Sequence, residues 1–158
     1  MTICTHDHKC IFGEVMDDTI RLSSAGNIVK KYWTEIPRHY TDVVLDTFII
    51  MPNHMHGIII LTEPVVGAIH ESPLPKTMRQ RRKMKLSKII GRFKMTSAKE
   101  INIFQRTPGM HVWQRNYYDH IIRNEKELNT IRDYIINNPL KWASDKKHPD
   151  SKAENPSS

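Results

Sequence analysis

The chain has 158 residues, 39% hydrophobic and 26% charged, which suits one globular domain with a real core and leaves too little for two comfortable ones. A net charge of +7 and a pI near 9.5 favour a polyanionic partner, because basic surface draws phosphate backbones without reading sequence. No apolar run approaches membrane-spanning length and no signal-peptide pattern opens the chain, so the expectation is a cytoplasmic protein with no membrane partner.

Thr2 to Thr5 is β-prone and forms a first, short strand. The string Cys4-Thr5-His6-Asp7-His8-Lys9-Cys10 gathers several soft ligands, but its spacing matches no usual structural zinc pattern, and two cysteines make no disulfide framework. A strand end running into a turn is the better reading. Phe12 to Met16 and Thr19 to Leu22 read as a small hairpin around Asp17-Asp18. Ser23 or Ser24 can cap a helix, whose apolar positions Ile28, Val29, Tyr32, Trp33 and Ile36 recur at helical spacing until Pro37 stops it. Val43 to Met51 is a strand that turns at Pro52-Asn53 into another over His54 to Leu61.

From residue 62 to 85 the composition changes to prolines and then to Arg79-Gln80-Arg81-Arg82-Lys83-Met84-Lys85. This reads as a mobile connection with a basic end, either a solvated linker or a clamp on nucleic-acid backbone through Arg81, Arg82 and Lys83. Leu86, Ile89, Ile90, Phe93, Ile101 and Phe104 then predict a helix over about Ser87 to Phe104, with Lys88, Arg92 and Lys94 off its apolar line. A strand over His111 to Tyr118 follows. Asn124 and Glu127 have capping-box spacing, and the last helix buries Leu128, Ile131 and Ile135 before Pro139 ends it at Asn138. The order predicts an α+β fold: a ferredoxin-like split βαββαβ antiparallel sheet with helices on one face, plus a C-terminal helix. One domain spans 1–142, and the polar tail 143–158 is expected to be disordered.

His54 and His56 sit two residues apart on a strand, so both imidazoles point to one face while Met55 points to the other. Two neutral imidazoles side by side suit a divalent metal, although an arbitrary His-x-His is more often two polar residues at a strand entrance. Tyr134 and Asn138 are four residues apart on the last helix and share a face. Asn138 offers a carbonyl oxygen at the negative end of the helix dipole. Together these four residues suggest a composite site; taken alone, Tyr134 reads as a packing tyrosine at a helix edge.

Three segments, Met51-Pro52-Asn53-His54-Met55-His56-Gly57, Trp113 to Arg123, and Asp133-Tyr134-Ile135-Ile136-Asn137-Asn138-Pro139, resemble the REP-associated tyrosine transposases, relatives of the single-tyrosine, His-hydrophobic-His insertion-sequence transposases. The resemblance runs from about Thr2 to Trp142. It implies that His54 and His56 are metal ligands and Tyr134 the nucleophile, and that Asn138 stands where insertion-sequence relatives carry a glutamine ligand. It implies single-stranded DNA with hairpins as substrate, and members with more chain ahead of the position of Met1. The tyrosine would be carried on the C-terminal helix.

The residue types suit that chemistry. A tyrosine hydroxyl ordinarily titrates near pH 10 and needs help to attack a phosphodiester. A divalent ion, Mg²⁺ or Mn²⁺ rather than Zn²⁺, would withdraw charge from the scissile phosphate and hold it in line. The product would be a 5′-phosphotyrosine and a free 3′-hydroxyl, which needs no nucleotide energy source. Lys88, Arg92, Lys94, Arg115, His120 and Arg123 are candidates for DNA contact. Trp113, Tyr117 and Tyr118 are candidates to stack on unpaired bases, with core packing the better reading for at least two of the three. The protein would act as a monomer or homodimer. Two other classes stay open: a nucleic-acid-binding module without catalysis, and a metal-dependent phosphoesterase using water, which would not need Tyr134.

Overall fold

The computed structural model describes residues 1–62, 78–145 and 148–149, with side chains in the long helix described from residue 84 onward. Its centre is an antiparallel hairpin of β4 (Val43–Met51) and β5 (His54–Leu61), paired Met51 with His54, Ile50 with Met55 and Ile49 with His56. β1 (Thr2–Cys4) lies along the other side of β5, pairing Cys4 with His54, Ile3 with Met55 and Thr2 with His56. The strand bounds of the hairpin follow from β-branched runs on either side of a Pro-Asn turn.

The fourth strand expected over 111–118 is reduced to two antiparallel bridges, Thr2 with Tyr118 and Thr5 with Trp113. The four residues Thr2 to Thr5 face the six residues Trp113 to Tyr118 between these bridges, so residues between bulge out of the ladder. The Lys94 ammonium holds the loosened stretch by donating to the Gln114 and Arg115 carbonyls. The segment thus edges β1, β1 edges β5 and β5 edges β4, which is the split βαββαβ arrangement.

One face of the sheet carries the core. Ile3, Met55 and Ile50 form a cross-strand row, all buried. Over it lie α1 (Ser24–Thr34), with Val29 and Trp33, and α3 (Met78–Gln105), with Ile89, Ile90, Phe93 and Ile101. Ser23 caps α1, accepting from the Gly26 amide at 3.1 Å while its hydroxyl donates to the Ile11 carbonyl at 2.7 Å. Pro37 does not simply stop the helix: it sits in the first turn of a short α2 (Ile36–His39), where its missing N–H costs nothing. The two main helices are tied by Glu100, which accepts from Tyr32 and Lys31; that bond pushes the Tyr32 hydroxyl up to about 12.

The small hairpin, β2 (Gly13–Met16) and β3 (Thr19–Leu22), turns at Asp17 and Asp18, both with positive φ, the geometry of a type I′ turn.

α3 corrects two expectations. It begins at Met78, so the basic run is helical backbone rather than part of a structureless connection. Met, Arg, Gln and Lys are all good helix formers, and the run lacks the apolar periodicity by which sequence reveals a helix. Phe104, expected on the buried line, is 61% exposed; the line runs instead through Ser97, which is fully buried, to Ile101. The linker proper, the side chains of Arg81, Arg82 and Lys83, and the tail beyond residue 149 lie outside the described residues. The segment expected to be disordered from 143 begins inside a 3-10 turn, Pro139–Ser144, whose Trp142 is buried.

The opposite face carries α4 (Glu125–Ile136), capped by Asn124, whose side chain accepts from the Glu127 amide at 2.8 Å. Of the three residues expected on its buried line only Ile135 is fully buried, an apolar contribution of roughly 2–3 kcal/mol, while Leu128 and Ile131 are half-buried. A charged anchor supplements it. The β4 ladder shifts register between Leu45 and Phe48, and Asp46 in that bulge accepts a two-pronged bond from Arg132 of α4, Nε to Oδ1 at 2.9 Å and Nη2 to Oδ2 at 2.5 Å. Thr47 adds its amide and hydroxyl to Oδ1.

Two outcomes follow from these contacts. A Cβ added at Gly57 would stand 2.4 Å from Cζ2 of Trp33, a ring with no exposed surface. Gly57→Ala is therefore expected to destabilise the fold by about 1–3 kcal/mol, read as a lowered midpoint in thermal unfolding. Second, the Arg132 guanidinium, and after it Thr47, hold the Asp46 carboxyl well below the usual carboxylate range. A depressed folded pKa contributes stability above the unfolded value, about 3.9, and loses it as pH falls through the folded value. The stability gap between the parent and Asp46→Asn should stay constant down to about pH 5 and narrow below about pH 4. Urea titrations at stepped pH check this.

Candidate active site

The alternation of β5 puts Met55 in the core and turns His54 and His56 to the other face. His54 is fully buried and His56 nearly so. Their rings meet edge to face, centroids 4.7 Å apart, with the two Nε2 atoms at 3.1 Å. The remaining ring nitrogens have oxygen partners. His54 Nδ1 lies 2.8 Å from Oδ1 of Asn53, and the Asn53 amide nitrogen donates to the His8 carbonyl at 3.1 Å. With the amide so oriented, His54 Nδ1 donates and its Nε2 keeps a lone pair. His56 Nδ1 lies 2.8 Å from the Thr2 hydroxyl; donation to that oxygen leaves a lone pair on its Nε2 as well. An imidazole that binds a metal commonly donates its other N–H to an oxygen in this way, which fixes the tautomer.

α4 and the 3-10 turn after it cover the histidines. The Tyr134 ring stands edge-on to His56, centroids 5.3 Å apart, and is 43% exposed. The Trp142 ring lies 6.0 Å from His54. Asn138, between them in sequence, is 1% exposed, and its Oδ1 has no hydrogen-bond partner. Buried amide oxygens are rarely left so. Two convergent imidazole nitrogens and an orphaned amide oxygen on the covering turn are a donor set a divalent cation fits. Among the described residues no three His, Cys, Asp or Glu side chains gather into such a group.

Of the other residues singled out from sequence, Lys94 is engaged with the two edge carbonyls and partly desolvated, which lowers its ammonium pKa. Trp113 is 7% exposed and donates Nε1 to Ser97 at 3.0 Å, so it is a core residue rather than a base-stacking platform. Lys88 and Arg92 are exposed, but on α3, across the sheet from the histidines. Arg115 and Arg123 are exposed on the stretch leading to α4. His120 pairs with Glu127 at 2.6 Å, and Glu127 also accepts from the Arg123 amide at 2.8 Å, which ties that stretch to the first turn of α4. Tyr118 is exposed, whereas Tyr117 is half-buried with its hydroxyl 3.2 Å from that of Ser87.

Sequence reasoning missed Asn53, Thr2 and Trp142 as neighbours of the histidines. Asn53 had a signal, a carboxamide immediately ahead of His54 at a strand start. Thr2 had none, since only the β1–β5 register places it beside His56.

Residues 77–138 match the sequence profile of the IS200-like transposases; the match runs from α3 through Tyr134 and Asn138. A Haemophilus influenzae protein of uncharacterised function is 39% identical over 160 residues, covering 95% of this chain and 84% of the relative. Among solved structures, a REP-associated tyrosine transposase bound to a REP hairpin shares the fold with a TM-score of 0.50 at 17% identity, over 89% of this chain. The chain spans 64% of that protein's length. No helix among the described residues is long and apolar enough to cross a membrane. The profile match through α4, in a chain aligned nearly end to end with its relative, makes this chain a member of the IS200-like transposase family.

Proposed function

We propose that the protein is a transposase that cleaves and rejoins single-stranded DNA near hairpins, with Tyr134 as nucleophile and a divalent cation, Mg²⁺ or Mn²⁺, held by His54, His56 and Asn138. The observation that carries this reading is the Tyr134 ring standing against His56, whose Nε2 converges with that of His54. A water-activating phosphoesterase would have no use for a tyrosine there. The hairpin in the solved transposase supports a REP-like hairpin as substrate.

A cation bound at the histidines would neutralise charge on the scissile phosphate. Tyr134 is partly exposed, so a strand can reach its hydroxyl, and it comes from the same chain as the histidines. Its Oη forms a bond to phosphorus as the bond from phosphorus to the 3′-oxygen breaks. The tyrosine proton passes to solvent, and the departing 3′-oxygen takes one up. The 5′-phosphoryl group stays on Tyr134 as an ester, and attack by a second 3′-hydroxyl reseals the strand and returns the tyrosine. Asn53 and Thr2 hold the imidazoles in the tautomer that aims Nε2 at the ligand. Exposed Arg115 and Arg123 lie on the stretch between sheet edge and tyrosine helix, where they can take backbone phosphates. Arg81, Arg82 and Lys83 are further candidates for such contacts.

Tyr134→Phe removes one oxygen from a partly exposed residue and keeps the ring. It should abolish the covalent protein–DNA adduct on a denaturing gel while hairpin affinity stays within about twofold. Cleavage by Tyr134→Phe at the parental rate would mean that water or another side chain attacks. Asn53→Ala frees the His54 ring and should weaken Mn²⁺ binding by about 10–100-fold, measured by calorimetry on the protein without DNA. Undiminished Mn²⁺ affinity would show that Asn53 has no part in holding the ligand.

A further inference from the structure

α4 presents the tyrosine, yet its apolar footing is a narrow line, with Ile135 buried and Leu128 and Ile131 half-buried. At about 100° per residue, Arg132 lies about 60° to one side of Ile135 and Tyr134 about 100° to the other. Half-buried Leu128 and Ile131 lie within about 40° of Ile135 on the same stripe, so the apolar contact is a narrow line that resists roll only weakly, and a roll would carry Tyr134 toward or away from His56. The Arg132 guanidinium opposes that motion. Its two nitrogens engage both oxygens of Asp46, and a third, Nη1, donates to Asn129 Oδ1 at 3.0 Å within α4. Asp46 is itself fixed by the Thr47 amide and hydroxyl at the β4 bulge. Its side chain is 12% exposed, and that of Arg132 36%. A two-pronged bond constrains direction as well as distance, and its far end is anchored on the strand that pairs directly with the histidine strand.

We propose that the Asp46–Arg132 fork is a positioning pair that sets the roll of α4, and so keeps the Tyr134 hydroxyl aligned with the histidine site. Neither residue touches substrate. Their role depends on the reading of Tyr134 as nucleophile, and it predicts a split between chemistry and binding. Misplacing a reacting atom by about 1 Å can cost on the order of a hundredfold in rate, whereas hairpin affinity, spread over many phosphates, has little reason to change.

The test compares Arg132→Lys, which keeps the charge and loses the fork, and Asp46→Asn, which keeps the shape and loses the charge, with the parent. Contacts between the Tyr134 and His56 ring protons are read by NMR in labelled protein without DNA. Adduct formation and hairpin affinity are then measured on a single-stranded hairpin. The expected result is weakened ring–ring contacts, adduct formation slowed by about 10–100-fold, and unchanged affinity, with Arg132→Lys folded if Asp46→Asn is not. Intact ring contacts in Arg132→Lys would overturn the proposal, as would an adduct rate equal to the parent's. If the parent itself forms no adduct, the nucleophile assignment falls, and the ring contacts alone still decide whether the fork sets the roll of the helix.

Discussion

The period of two along β5 is the constraint on which the rest depends. Met55 and Gly57 face the core, against Ile3, Ile50 and the Trp33 ring; His54 and His56 face away. A slip of one residue would bury the imidazoles among hydrocarbons and put Met55 where they stand. The apolar row therefore does more than stabilise the sheet. It holds the register that aims two ring nitrogens at one point, and the pairing with β1 brings the Thr2 hydroxyl to His56 through the same register.

The two faces of the sheet are held by different physics. Under α1 and α3 the contact is broad and apolar, with Trp33, Phe93 and Trp113 packed ring to ring at centroid distances of 5.3 and 5.6 Å. Under α4 it is narrow and largely polar: the Asp46–Arg132 fork, Glu127 on the preceding stretch, and Trp142 over His54. A helix that leaves a side chain such as Tyr134 partly exposed does not bury all its surface. Directional charged contacts define its orientation with little area, and such elements belong to the less stable parts of a fold.

The charge of the chain also reads differently once partners are known. Among the described cations, Lys94 holds edge carbonyls, Lys85 pairs with Asp42, Lys31 with Glu100 and Arg132 with Asp46. These serve the fold. Exposed cations such as Lys88, Arg92, Arg115 and Arg123 remain open to a polyanion, so net charge alone overstates the basic surface that is free to bind one.

Local pattern determined much of this protein by itself. The bounds of β4 and β5, the acidic turn, the capping residues Ser23 and Asn124, the shared face of His54 and His56, and the placement of Tyr134 on the last helix all follow from interactions within a few residues, where sequence spacing is spatial spacing. The helical start of α3 was hidden because a run of polar residues carries no apolar periodicity, and Phe104 was misplaced because the helix outruns the surface that would cover it. Tertiary structure alone decided that residues 111–118 would pair through two bridges rather than a ladder, that Trp113 would spend its indole on Ser97, and that Thr2 would meet His56. It alone brought Arg132 to Asp46, 86 residues away. Those contacts join segments whose separation along the chain carries no geometric information, and they exist because strand register and helix docking, set by burial of the core, bring the partners together.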